Sequence, residues 1–312
     1  MAAQPNNNPP RYTGVPTFMR LPLYDPAGKA DIAMVGVPFD GGVTNRPGAR
    51  HGPREVRNQS SLIRRVNQAT GAAPFAAAAI VDGGDVPFER VYNLEDAHAD
   101  IEKAFRGWKD AGVRVLGVGG DHSISLPILR ALADKGQPLA MVHIDAHCDT
   151  GDGNMGSRFH HGAPFSRAVE EGLIDPARTV QVGIRGTAAS HDYWQFSYDH
   201  GMRVMLIEEV YELGIKATIA EMRRVVGDGP CYLTFDIDSI DPAFAPGTGT
   251  PEVGGLTSLE ALMLVRGMAG LDIAGADLVE VAPPFDQTGN TAHLAANILF
   301  EILCVMTGGK PG

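Results

Sequence analysis

Six side chains in three short segments have the types and spacing of a metal centre. The densest segment is His143-Ile144-Asp145-Ala146-His147-Cys148-Asp149, where Asp145, His147 and Asp149 alternate with other residues. On an extended backbone alternate residues share one side. Three ionisable groups crowded there, at the end of the apolar run Met141-Val142-His143-Ile144, would repel one another and be costly to bury unless a cation sat among them. A second pair, Asp236 and Asp238 in Thr-Phe-Asp-Ile-Asp, also ends an apolar stretch. Alone it says little, because surface turns often carry two spaced aspartates. The third segment, Gly119-Gly120-Asp121-His122, follows Val113–Val118 and allows a tight turn that presents His122. By itself that histidine would more often be structural. Together the segments offer two imidazoles and four carboxylates. An oxygen-rich set of this kind suits Mn²⁺ better than Zn²⁺, whose structural sites favour Cys and His. Six protein ligands exceed what one ion takes while keeping a reactive position. Shared carboxylates therefore point to two ions with a water between them, and so to hydroxide at neutral pH.

Elements able to hold such groups are spaced along the whole chain. Short apolar runs read as strands near 31–38, 79–83, 114–119, 138–145, 179–184, 202–207, 231–237 and 273–281. Helical patterns fall near 53–66, 95–111, 124–135, 164–172, 215–226, 257–269 and 291–305. This alternation predicts a three-layer α/β fold with a central, mainly parallel sheet of about eight strands. Residues 1–30 read as an extended, Pro-rich arm and 31–312 as a single domain. In open parallel sheets ligands bind beyond the carboxyl ends of the strands. The segments Gly119–His122, Asp145–Asp149 and Asp236–Asp241, together with Glu280, all fall at such ends.

Composition narrows the partners. The balance of 26 basic against 37 acidic residues gives a net charge of −11, and no basic cluster interrupts it, which argues against nucleic acid and anionic membranes. Cys148, Cys231 and Cys304 are odd in number and far apart, as free thiols in a reducing compartment would be. The polar Met1–Pro10 has no signal-peptide pattern, and no apolar run approaches ~18 residues. The expectation is a cytoplasmic protein.

Several segments resemble, in order, the signatures of the ureohydrolase family: GGDHSISLP, HIDAHCDT, HGAPF, TFDIDSIDPAFAPGTGTPEVGGLT and EVAPPFD, spanning 119–286. The earlier stretch GVPFDGGVTNRPGARHGPREVR is similar to the agmatinase-like branch, which includes guanidinobutyrases and guanidinopropionases. The resemblance implies an arginase-like fold, a homo-oligomer (trimer or hexamer), and hydrolysis of a small guanidino substrate to urea and an amine. It implies two Mn²⁺ per chain, held by His122, Asp145, Asp149 and Asp236 with His147 and Asp238 completing the site. Asp149 would also stabilise the tetrahedral intermediate. His161 matches a proton-shuttling histidine, with His160 as a competing choice. Glu280 matches the carboxylate that holds the guanidinium, and Thr250 lies in a loop lining the same pocket. Cys148 stands where relatives more often carry Thr or Ser; pleat alternation turns it away from the metals.

The substrate's far end is read from the 150–160 loop. An amine tail would want Asp152; a carboxylate tail would want Arg158, with His160 as a second donor and Arg46 and His51 as further contributors. The reading favours a guanidino acid of three or four carbons, with agmatine as the alternative. A one-zinc deacetylase of similar fold is disfavoured by the full second set of ligands and by Glu280. A non-catalytic metal scaffold is disfavoured because no ligand position is lost.

Overall fold

The computed structural model of the chain describes residues 10–154, 156–188 and 190–308. Its strands are β1 (Ile32–Val37), β2 (Ile80–Asp85), β3 (Arg114–Gly119), β4 (Leu139–Ile144), β5 (Ile174–Ile184), β6 (Arg203–Leu206), β7 (Pro230–Asp236) and β8 (Asp272–Val279). They form one sheet in the order β2-β1-β3-β8-β7-β4-β5-β6. Every neighbouring pair is parallel. The strands at its centre are apolar on both faces because both are covered. In β1, Ile32 and Met34 pack into one core with the helices Ile215–Val226, Ser258–Arg266 and Asn290–Met306. Ala33, Val35 and Val37 pack into another with Leu94–Asp110, Ser125–Leu132 and Pro164–Glu170. Helix, sheet and helix make the expected three layers.

Strand positions agree with the sequence reading to within a few residues, except that β5 begins earlier, at Ile174. The pattern over 53–66 divides into a helix, Gly52–Gln59, and a 3-10 turn, Ser60–Leu62. Helices Pro74–Ala77, Gln195–Asp199 and Ile207–Leu213 were not anticipated. Each has two turns or fewer, too short for a periodicity to register. The arm is not featureless: Tyr24 donates to the Asp82 carbonyl at 2.8 Å and Asp82 to the Pro22 carbonyl at 2.9 Å. It thereby covers the β2 edge of the sheet. Residues 1–9 lie outside the described residues. Among those described, no helix is long and apolar enough to cross a membrane.

The strand order places the chemistry. Segments that end β3, β8, β7 and β4 are far apart in sequence, yet these are four consecutive strands of the sheet. The chain builds the β2 side first, crosses from β3 to β4 and on to β6, and then returns to fill the centre with β7 and β8, so the crevice lies where the strand order reverses.

Candidate active site

His122 opens a 3-10 turn just beyond β3, capped by the Asp121 carboxylate on the Ser123 amide. Gly120 makes this approach feasible, since a Cβ there would stand 2.2 Å from the Phe39 carbonyl oxygen. The His122 Nε2 pairs with the Thr234 hydroxyl at 2.8 Å. Its Nδ1 then faces three carboxylate oxygens: Asp145 Oδ2 at 3.1 Å, Asp149 Oδ2 at 3.0 Å and Asp236 Oδ2 at 3.1 Å. Although so surrounded, Nδ1 is buried and has no hydrogen-bond partner of acceptable geometry. A lone pair aimed at three acids is repulsive unless a cation lies between them. A second focus adjoins it, with His147 Nδ1 3.4 Å from Asp145 Oδ1 and 3.2 Å from Asp238 Oδ2. Asp145 thus turns one oxygen toward each focus. All six predicted ligands converge.

They converge by a different backbone from the one alternation suggests. β4 ends at Ile144, the next three residues form bends, and Asp149 has a left-handed φ of 50°. Asp145 Oδ1 accepts from the His147 amide at 2.6 Å, and Asp236 Oδ1 accepts from the Asp238 amide at 2.8 Å. The acids are therefore fixed by their own chain. Cys148 is indeed turned away, buried with Ile184 and Val204, and burial pushes its thiol well above the ordinary range. It is no thiolate ligand.

The electrostatics ask for positive charge. Burial, then Asp238 and Asp145, push Asp236 well above the usual carboxylate range. Burial opposes charging His122, yet Asp145, Asp149 and Asp236 raise it well above its ordinary value. A divalent ion would supply the charge that a proton otherwise must. The oxygen-dominated donor set fits such ions.

Glu280 lies one residue past β8, with φ of 64°, and is buried. Its Oε1 accepts from the His122 amide and from His161 Nδ1, both at 2.9 Å. Its Oε2 is buried without a partner and lines the cleft. This free acceptor suits a guanidinium N–H. The His161 Nε2 sits 3.2 Å from the Thr44 amide and 2.9 Å from its hydroxyl. Burial works against protonation, but Glu280 carries His161 up to about 9. The Thr44 N–H works the other way, because it can pair only with a lone pair on Nε2. That contact fixes the Nδ1–H tautomer as the resting state.

The cleft is about 440 Å³ and also includes His160, Thr250 and Asp152. Thr250 donates to Asp238 Oδ2 at 3.1 Å. His160 is spent on its own loop, with Nδ1 accepting from the Gly162 amide and Nε2 2.7 Å from the Asp152 carbonyl. It does not compete with His161. Arg158 does not line the cleft, which corrects the expectation placed on it: its Nη2 lies 2.9 Å from Glu170, and its Nε 3.4 Å from Asp152. Nearby carboxylates capture a flexible cation before any substrate could. Arg46 stacks over Phe285 instead, at 3.8 Å, and neither it nor His51 reaches the cleft.

Two residues escaped the sequence reading. His143, buried in β4, could be grouped with His122 and Asp145 as a ligand. Its hydrogen bonds say otherwise. The Gln181 amide, which also donates to the Cys148 carbonyl at 2.6 Å, donates to His143 Nδ1 at 3.0 Å. Nε2 must then carry the proton, which it gives to Asp145 Oδ2 at 2.6 Å. His143 orients Asp145 and has both ring nitrogens engaged. The only sequence signal was a lone polar residue inside an apolar strand. Arg185, at the end of β5, is also buried and gives its guanidinium to the carbonyls of Gly183, Asp238, Ser239, Glu252 and Val253. It clamps the loop that carries Asp238 and Thr250.

Comparison with known proteins falls in line with this geometry. A model of the Arginase family matches residues 30–305. A guanidinopropionase of Pseudomonas aeruginosa is 54% identical, over 95% of this chain and 93% of its own. A mitochondrial agmatinase of Gallus gallus is 49% identical, over 96% and 88% respectively. A solved structure of proclavaminate amidino hydrolase from Streptomyces clavuligerus superposes with a TM-score of 0.91 at 43% identity, covering 96% of this chain and 99% of that one.

Proposed function

This chain belongs to the arginase family and is a ureohydrolase, and on that premise we propose that it releases urea from a short guanidino acid. The preferred substrates are 3-guanidinopropionate and 4-guanidinobutyrate. The observation that carries the reaction type is the pairing of two unmet needs at one cleft: beneath it a lone His122 nitrogen facing three carboxylates, two of them (Asp149 and Asp236) in its lining, and a partnerless oxygen of Glu280, which lines it as well. We assign two Mn²⁺ to the cluster, one at His122, Asp145, Asp149 and Asp236 and one at His147, Asp145 and Asp238.

Bound there, the ions would supply Lewis acidity and bring a water's pKa down toward neutrality. The protein's own groups do the rest. Glu280 Oε2 accepts from the guanidinium and holds its carbon over the cluster. Water adds to that carbon, the bond from carbon to the substituted nitrogen breaks, and urea and a primary amine result. The leaving nitrogen must gain a proton. His161, hydrogen-bonded at both ring nitrogens and at the cleft wall, is placed to pass one inward from solvent. Asp149, held in a left-handed conformation beside His122, faces the charge that develops at the reacting carbon.

The agmatinase relative and the exposed Asp152 keep agmatine as the second reading. Against it, Asp152 is already shared between Arg158 and Arg167. Urea release by the Mn²⁺-loaded protein across 3-guanidinopropionate, 4-guanidinobutyrate, guanidinoacetate, arginine and agmatine tests the proposal. A wide preference for agmatine would overturn the acid reading. The three buried free thiols accord with a reducing, cytoplasmic setting, and light scattering would test for a trimer or hexamer.

A further inference from the structure

With Arg158 turned outward, no lysine or arginine among the described residues lines the cleft to meet an acidic tail. Its walls carry Asp149, Asp152, Asp236 and Glu280, with His147, His160 and His161 as the basic groups among the described residues. A carboxylate there must be met by neutral donors. Most candidates are already engaged: the Thr44 hydroxyl with His161, the Thr250 hydroxyl with Asp238, and His160 with its own loop. Asn154 sits at the exposed tip of its loop, where its backbone closes a bridge with Ser157. Tyr193 is different. It stands in the turn that follows β5, on a separate segment from the 151–154 loop, and is among the residues that line the cleft. The residue is 41% exposed, open to solvent on one side. Among the described residues its hydroxyl has no hydrogen-bond partner.

We propose that Tyr193 is a specificity residue, its hydroxyl donating to the carboxylate tail of the substrate while its ring covers the methylenes. This rests on the guanidino-acid reading and sharpens it. A neutral phenol suits the position better than a cation would, since a fixed positive charge would pair with the neighbouring acids, as Arg158 does. Partial burial, and then Asp149, raise the phenol above its ordinary pKa, so it stays a donor across the neutral range. A ring also gives contact area at little rotamer cost.

The test compares wild type and Tyr193→Phe, each loaded with Mn²⁺, on 3-guanidinopropionate, 4-guanidinobutyrate and agmatine. Loss of one hydroxyl to a charged tail should raise KM for the acids about 10-fold. kcat should hold within about 2-fold, with a smaller KM change for agmatine. Bound manganese and the thermal midpoint check that the fold and metal site are intact. Tyr193→Leu should raise KM further by removing the ring. If wild type hydrolyses the acids and Tyr193→Phe has the same KM for them, the tyrosine assignment is wrong and the substrate reading survives. If wild type uses agmatine and neither acid, both fall together.

Discussion

The floor of the cleft comes from four neighbouring strand ends and is almost wholly buried; its mouth comes from the 151–160 loop and the turn after β5 and is largely exposed. On the floor the strand ends bring the donors together, and hydrogen bonds from backbone or from His143, Thr234 and Thr250 hold Asp145, Asp236, His122 and Asp238 in place. At the mouth, side chains find whichever partner is nearest, as Arg158 finds Glu170. Reaction type should therefore be written into the floor and substrate choice into the mouth. The split predicts that floor substitutions act on metal and turnover, whereas mouth substitutions act on KM.

The largest effect should come from Asp236→Asn, which removes an acid facing His122 Nδ1. Urea release should fall about 10³-fold or more, the scale of losing a principal electrostatic group, with manganese lost as well. Retained metal and rate would break the comparison at its root. His161→Asn should cost about 10²-fold in kcat, typical of a lost proton-transfer group, while manganese stays bound. A variant with normal kcat but no metal would show that His161 belongs to the site in another role. His143→Ala frees Asp145 Oδ2 without touching a ligand. It should weaken manganese affinity by about 10- to 100-fold, and a calorimetric titration matching wild type would show that Asp145 needs no such support. Smallest of all, Arg158→Ala should leave KM for every substrate within about 2-fold, because an exposed pair is worth little. A 10-fold rise there would return Arg158 to the substrate.

How much could be read from sequence follows the same division. The floor was legible because its six donors sit in three compact segments at strand ends, and because like charges so close together demand a cation. His143 and Arg185 were not legible. The first depends on Gln181, which pairs with it only across β4 and β5, and the second on carbonyls brought in from the 238–253 loop. Cys148 was placed correctly by the wrong backbone: bends and a left-handed Asp149, not a continued pleat, turn it into the apolar pocket. Arg158 was misread because nearness in sequence to His161 cannot reveal that Glu170, on the following helix, lies closer in space.

The most direct test of the central claim is to titrate Mn²⁺ into the metal-free protein by calorimetry and count equivalents per chain. The account predicts two, falling in Asp236→Asn and in Asp238→Asn. A wild-type chain that binds none, or one whose two equivalents survive both substitutions, would contradict it.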